Sequence, residues 1–161
     1  MSVFETFTQH FEFNRGRTLG LLERMEREAD LPAALAWRPG AGRAHIAWQL
    51  MHIGITEEIF AVERLAKGTG KFSDLWSRFQ GGSTPDDQIP SADEIRQVLA
   101  TGREELLGTL AGLSESQLGD IMWEARDGRK LTLLSVLQII SWHEAHHQGQ
   151  AHITFNLFKA S

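Results

Sequence analysis

The sequence predicts an all-α fold: an up-down bundle of four helices with a long loop between the second and third. Three observations carry the prediction. Four segments repeat apolar residues every three or four positions. Proline, glycine or a capping residue marks most of their ends. No segment alternates apolar and polar residues as a half-buried strand does.

The first helix is expected from about Val3 to Asp30, with Phe4, Phe7, Phe11, Leu19, Leu22, Met25 and Ala29 on its apolar stripe. Leu31-Pro32 should end it, because proline disfavours helical geometry in the residue before it. The second is expected from about Ala41 to Lys67, after Pro39-Gly40, with Ile46, Leu50, Ile53, Ile59, Val62 and Leu65 facing inward. Gly68 and Gly70 supply its stop. The connection Gly68 to Pro90 contains Gly81-Gly82-Ser83-Thr84-Pro85, which is turn chemistry, and Phe72 to Phe79 reads as a short helix covering one end of the bundle. Connections this long often have a function. Ser91 and Glu94 form a capping box that opens the third helix, which Gly112 closes. Ser114 and Gln117 suggest a second capping box over a short turn. Asp120 to Lys130 is irregular. The fourth helix is expected from about Thr132 to Phe158.

At 161 residues the chain suits one domain, residues 1–161, and can bury a substantial core. The net charge of −5 argues against nucleic acid as a partner, because that affinity rests on Lys and Arg neutralising phosphates. Cysteine is absent. There is therefore no disulfide and no protein thiolate to act as nucleophile or ligand, and a cytoplasmic location is expected. Met1 to Phe13 lacks the basic and apolar regions of a signal peptide, and no run is long enough to span a membrane.

Histidine is the unusual feature, with seven copies, four of them between positions 143 and 152. His143 and His147 are four apart and so share one helix face, one turn apart. That spacing lets two ring nitrogens meet one metal ion at about 2.0–2.1 Å. A third ligand should come from another helix. His52 lies within Trp48-Gln49-Leu50-Met51-His52-Ile53, where an unpartnered imidazole is costly to bury. A hydrogen-bonded core histidine is its ordinary reading; a facing His-x-x-x-His helix makes metal ligation the stronger one. His45 is expected to face solvent or a helix cap. His146 is rotated about 100° from His147 and is read as a neighbour of the site or a surface residue. His10 and His152 are not expected to be ligands. Glu144 points away from the site, and Glu57 and Glu58 are read as a solvated face, the alternative being that one of them orients a ligand imidazole through its other N–H. Three neutral imidazoles would leave the ion's charge uncancelled and a coordination position open, which is the composition of a catalytic site.

The segments Ile46-Ala47-Trp48-Gln49-Leu50-Met51-His52-Ile53 and His143-Glu144-Ala145-His146-His147-Gln148-Gly149-Gln150 resemble those of the DinB/YfiT-like metal-binding four-helix bundles. This superfamily includes bacterial thiol-dependent S-transferases. Gln148 stands where many members carry arginine. The resemblance implies His52, His143 and His147 as ligands of a divalent transition metal, nickel or zinc foremost, and it implies a homodimer. The crowded Phe4, Phe7, Phe11 and Phe13 suggest either a dimer contact that buries excess apolar surface or ordinary core and loop packing. Two enzymatic readings follow. In the first, a small thiol attacks an electrophilic small molecule. In the second, a metal-dependent hydrolase works through activated water. The alternative of another class is a non-catalytic metal-binding stress-response protein. Trp48, Trp76 and Trp142 are candidates to wall the pocket, with core packing as their ordinary role.

Overall fold

The computed structural model describes residues 1–161 and is a helical bundle with a short two-stranded excursion. Helix α1 spans Val3–Glu28, opened by a Ser2–Glu5 capping box. It stops short of the expected Asp30, because the Asp30 carboxylate instead caps a separate short helix, α2 (Leu31–Ala36), with Pro32 in its first turn. Pro32 there lacks only an N–H that no helix start can use.

Helix α3 spans Ile46–Glu58 and begins five residues later than expected, with His45 as its N-cap. It continues as a π-helical stretch, Ile59–Leu65. Ser73–Leu75 forms a 3₁₀ turn leading into α4 (Trp76–Phe79), which confirms the short helix expected in the long crossing. Helix α5 spans Ala92–Ala111, and its Ser91–Glu94 capping box is present. The Ser114–Gln117 box also forms, over a 3₁₀ turn.

The segment expected to be irregular is a hairpin. Strand β1 (Ile121–Glu124) pairs antiparallel with β2 (Lys130–Thr132), with a bulge between Ile121 and Trp123. Asp127-Gly128 makes its turn, Gly128 having a φ of 82°. The strands are too short, and the bulge too early, for an alternating pattern to show. Helix α6, Leu133–Ala160, closes the chain.

Helices α3 and α5 meet backbone to backbone at two glycines. A methyl on Gly54 would stand 2.8 Å from Val98, and one on Gly102 would stand 2.4 Å from the Gly54 carbonyl oxygen. Apolar side chains form two separate clusters. One holds Leu22, Met25, Leu50, Ile53, Leu99 and Phe155. The other holds Phe11, Phe60, Leu106, Leu110, Val136 and Ile140. Phe4 and Phe7 pack on the second, so the aromatic crowd of α1 is absorbed by the chain itself and only Phe13 of that group is left exposed. A larger exposed stripe lies on α6, through Trp142, Ile153 and Leu157.

Between the two clusters lies a buried layer of charge, one residue from each long helix. Arg15 of α1 bonds Glu57 of α3 and Glu144 of α6, each at 2.7 Å. Arg103 of α5 bonds the same two carboxylates at 2.6 and 2.7 Å. Arg15 also donates to the Leu99 carbonyl, and Thr18 to Glu144 at 2.8 Å. Burial works against the Arg15 charge, but Glu57 and Glu144 outweigh it and hold its pKa above the ordinary arginine value. Glu57 and Glu58 are therefore not a solvated face. Glu58 is also buried, and accepts from the Phe72 N–H at 3.0 Å and from Trp76 Nε1 at 2.6 Å, pinning the crossing to α3.

His45 is fully buried as a cap. Its Nδ1 accepts the Trp48 N–H at 3.0 Å, so the ring proton sits on Nε2 and is donated to the Asp86 carbonyl at 3.1 Å. Burial and the charge of Arg38 lower its pKa, against the opposing pull of the Asp86 carbonyl and of the Asp86 and Asp87 charges.

Two outcomes follow from these contacts. Glu144→Ala strands two buried guanidinium groups and should lower the unfolding free energy in urea by about 3–5 kcal/mol. A loss under about 1 kcal/mol would show that water compensates the layer. For His45, the unfolded imidazole takes up a proton below about pH 6.5 while the folded one resists it. The stability this group contributes is thus present above that pH and lost as pH falls through it. His45→Asn keeps a cap acceptor without a titrating ring. It should flatten the stability slope between about pH 6.5 and 5 by up to ~1.4 kcal/mol per pH unit; an unchanged slope would contradict the cap assignment.

Candidate metal centre

The site begins with the phase of two helices. On α3, the stretch from Ile46 to Ile55 is buried on every side, so His52 cannot turn to solvent. Its ring stacks on Trp48, centroids 4.6 Å apart and planes 17° from parallel. On α6, His143 and His147 stand one turn apart, and their ring centroids lie 4.7 and 4.4 Å from that of His52. One nitrogen from each of the three rings falls within 4.8 Å of the other two. The His143 and His52 Nε2 atoms are 3.0 Å apart. Two nitrogens on one tetrahedral ion at about 2.0–2.1 Å would be separated by roughly 3.3 Å, so the spacing suits shared ligation.

The hydrogen bonds behind the rings aim them. His52 Nδ1 lies 2.5 Å from the Phe79 carbonyl oxygen, and His147 Nδ1 lies 2.5 Å from the Gln49 side-chain oxygen. Neither oxygen can donate, so each Nδ1 carries the proton and each Nε2 keeps its lone pair, that of His52 facing the His143 Nε2. This is the arrangement by which outer partners fix the tautomer of metal-binding histidines. Burial lowers all three pKa values. His143 falls to about 2, with the imidazoles of His52, His147 and His146 and the charge of Arg64 adding to the effect of burial. His147 falls to about 3, by burial and then by His52 and His146. His52 is lowered by burial, against the Phe79 carbonyl. The rings are therefore neutral near pH 7, the state a cation requires. The donor set fits a divalent transition metal; neutral imidazoles suit zinc, nickel, copper or iron.

The other sequence candidates are elsewhere. His146 is exposed, stacked on Trp142 at 4.6 Å and bonded to Gln150. His152 meets Arg24 at 3.2 Å, and His10 is exposed against Phe7. Glu144 points away from the imidazoles, into the buried charge layer. Of the three tryptophans, Trp48 backs His52, Trp76 binds Glu58, and Trp142 is 60% exposed.

The three imidazoles line a cleft of about 760 Å³, which Thr56, Arg64, Gly81, Trp123 and Arg126 also line. Sequence reasoning missed Gln49, the Phe79 carbonyl, Arg64 and Trp123. A backbone carbonyl has no sequence signature. Trp123 reaches the cleft only because of the unforeseen hairpin. Gln49 alone could have been found, since it lies three before His52 and so shares its face.

Known proteins bear on this geometry. A family model described as the DinB superfamily matches residues 10–151. The fold is similar to that of a conserved protein from Enterococcus faecalis known from a crystal structure. The TM-score is 0.76 at 17% identity, over 100% of this chain and 99% of the other. That is a likeness of fold. No curated protein matches the sequence.

The metal-free protein should bind a single equivalent of Zn²⁺, Co²⁺ or Ni²⁺ in competition with a chromophoric chelator. His143→Ala should abolish binding at micromolar metal, and His146→Ala should leave it unchanged. Gln49→Leu, which removes only the acceptor behind His147, should weaken it by about 10–100-fold. Equal affinities in wild type and His143→Ala would mean that the cluster is not the site.

Proposed function

The chain belongs to the DinB superfamily, and on that premise we propose that it is a metal-dependent enzyme that activates a small thiol for transfer to an electrophilic small molecule. The observation that carries this reading is the set of three converging, neutral imidazoles at an open cleft, two of them with their outer nitrogens already satisfied. A closed structural site would need four protein ligands and no cleft. Nickel and zinc are the ions we favour.

A divalent ion held by His52, His143 and His147 supplies a Lewis acid that favours the thiolate over the thiol, the form that acts as nucleophile. The chain's own residues do the rest. Gln49 and the Phe79 carbonyl keep the imidazoles pointed inward, and Trp48 covers the face of His52. In the overall transfer the thiol gives its proton to solvent, sulfur bonds to an electrophilic carbon, and that carbon's leaving group departs into solvent with the bonding pair. Because the chain has no cysteine, the thiol must come from a small molecule.

A hydrolase would need a general base beside the ion. The carboxylates lining the cleft are Glu63 and Asp127. Asp127 is bonded to Arg129, which holds its pKa below the usual carboxylate value, the wrong direction for a base at neutral pH, and the exposed Glu63 makes no hydrogen bond to the imidazoles that would hold it beside the ion. The size of the cleft speaks against a purely stiffening or storage role, which needs no substrate space.

Thiol titration of the cobalt-substituted protein tests the proposal. Sulfur coordination should bring in an intense near-ultraviolet charge-transfer band and shift the visible bands. A spectrum indifferent to thiols, together with a collapse of the melting temperature on chelation, would assign the ion a structural role instead.

A further inference from the structure

The π-helical end of α3 carries an arginine that the fold leaves unused. Arg64 has its guanidinium carbon against two aromatic rings, 4.0 Å from the Phe60 centroid and 4.2 Å from that of Trp123. Its Nε is buried without a hydrogen-bond partner, and no other nitrogen of the group bonds to the protein. Buried polar groups are almost always paired, and a guanidinium offers five donors in a flat fork. The two aromatic rings that contact it supply no oxygen to accept these bonds.

That guanidinium belongs to the cleft, because Arg64 lines it together with His52, His143 and His147. Its charge is also close enough to contribute to the lowered pKa of His143. No nearby acid forms an ion pair with it, although against the effect of burial the charge of Glu63 favours its charged form. Asp127 is engaged by Arg129 at 2.7 Å, and the exposed Glu63 makes no bond to it. Arg126 adds a second positive charge to the same wall.

The backbone aims this residue. From Ile59 to Leu65 the chain winds with bonds spanning five residues, as in Ala66 N–H to the Ala61 carbonyl at 3.1 Å. Such widened turns recur at functional sites. Lys67 then adopts a left-handed φ of 59°, held by its Nζ bonds of 2.6 Å to the Arg64 and Met122 carbonyls. That clamp ties the end of the π-helix to strand β1, which carries Trp123.

The geometry points to Arg64 as an oxyanion subsite: the cleft takes a small molecule with a carboxylate or phosphate group that docks on the guanidinium while its reacting end lies at the three imidazoles. A planar fork suits either group through paired charge-assisted hydrogen bonds. Arg64 thereby determines specificity, selecting anionic over neutral ligands. This inference rests on reading the cleft as the substrate site, and only its thiol arm depends on the proposed chemistry.

Calorimetric titration of wild type and Arg64→Met tests it, the methionine keeping an apolar stem against the two rings. For the zinc-loaded protein the probes are 3-mercaptopropionate and uncharged 2-mercaptoethanol. For the metal-free protein they are propionate and inorganic phosphate. The charged thiol should bind wild type about tenfold or more tightly than the neutral one, and the difference should vanish in Arg64→Met without change in the neutral thiol's affinity. Propionate or phosphate should bind metal-free wild type and not the variant, the tighter of the two naming the group. Arg64→Lys, which keeps charge without the fork, should fall between. If neither thiol binds the zinc form while the anions still depend on Arg64, the subsite stands and the thiol chemistry fails. Should Arg64→Met not fold, the ¹⁵N resonance of Arg64 Nε in the wild type reads the same contact. Anion affinities identical in wild type and variant, or an Nε resonance unmoved by saturating anion, would overturn the inference.

Discussion

The charge layer formed by Arg15, Glu57, Arg103 and Glu144 constrains everything else in this bundle. Apolar packing alone tolerates sliding, since one methyl group resembles another. Four buried charges do not tolerate it. Each guanidinium reaches two carboxylates, and every long helix contributes one member. Moving any helix by one turn, about 5.4 Å, would leave charges unpaired in an apolar interior. Two members of the layer lie on the helices that carry the histidines. Glu144 directly follows His143, and Glu57 is five residues beyond His52. Locking those carboxylates between the same two arginines fixes the axial position of His52 against His143 and His147. The close approach of α3 and α5 at Gly54 and Gly102 completes the setting by bringing Glu57 and Arg103 together.

The long crossing between α3 and α5 has a related task. It supplies the Phe79 carbonyl that orients His52, and it is held in place by Glu58, Trp48 and Arg78. Trp48 Nε1 donates to the Arg78 carbonyl, and Arg78 in turn bonds Asp86. A backbone oxygen is a good orienting partner only if its segment is rigid. The ion pair and the tryptophan bonds provide that rigidity, so ordering of the crossing and orientation of the imidazole are one event.

The helices and the imidazoles were legible because they leave periodic traces. The apolar spacing of α1, α3, α5 and α6, the Ser91–Glu94 cap and the i,i+4 histidines are local patterns. The charge layer was not legible. Arg15, Glu57, Arg103 and Glu144 are far apart in sequence, and singly each resembles an ordinary solvated side chain. Only the folded arrangement shows that they neutralise one another. Glu58 was misread for the same reason, since its partners Phe72 and Trp76 lie across a turn. The hairpin escaped because a four-residue strand with a bulge does not alternate. In sequence Asp30 reads as the last residue of one helix, whereas its carboxylate opens the next, an ambiguity inherent in a capping residue placed just before a Leu-Pro helix start.

The hairpin is set apart from the bundle in its bonding. Its strands pair with each other, its turn closes through Ala125 and Arg129, and it is tied to the rest of the chain at its base, through Asp120 and Leu118, and by the Lys67 bond to the Met122 carbonyl. It nevertheless supplies Trp123, Arg126 and Asp127 to the wall of the cleft. Part of the cleft wall thus comes from a stretch of chain outside the long helices, while Arg64 and the imidazoles come from the helices themselves. Substitutions at the hairpin tip can reshape what the cleft admits while the helices, and the imidazoles fixed to them, go on folding as before. A lineage can diversify its ligands at these surface positions and leave the ancestral framework intact.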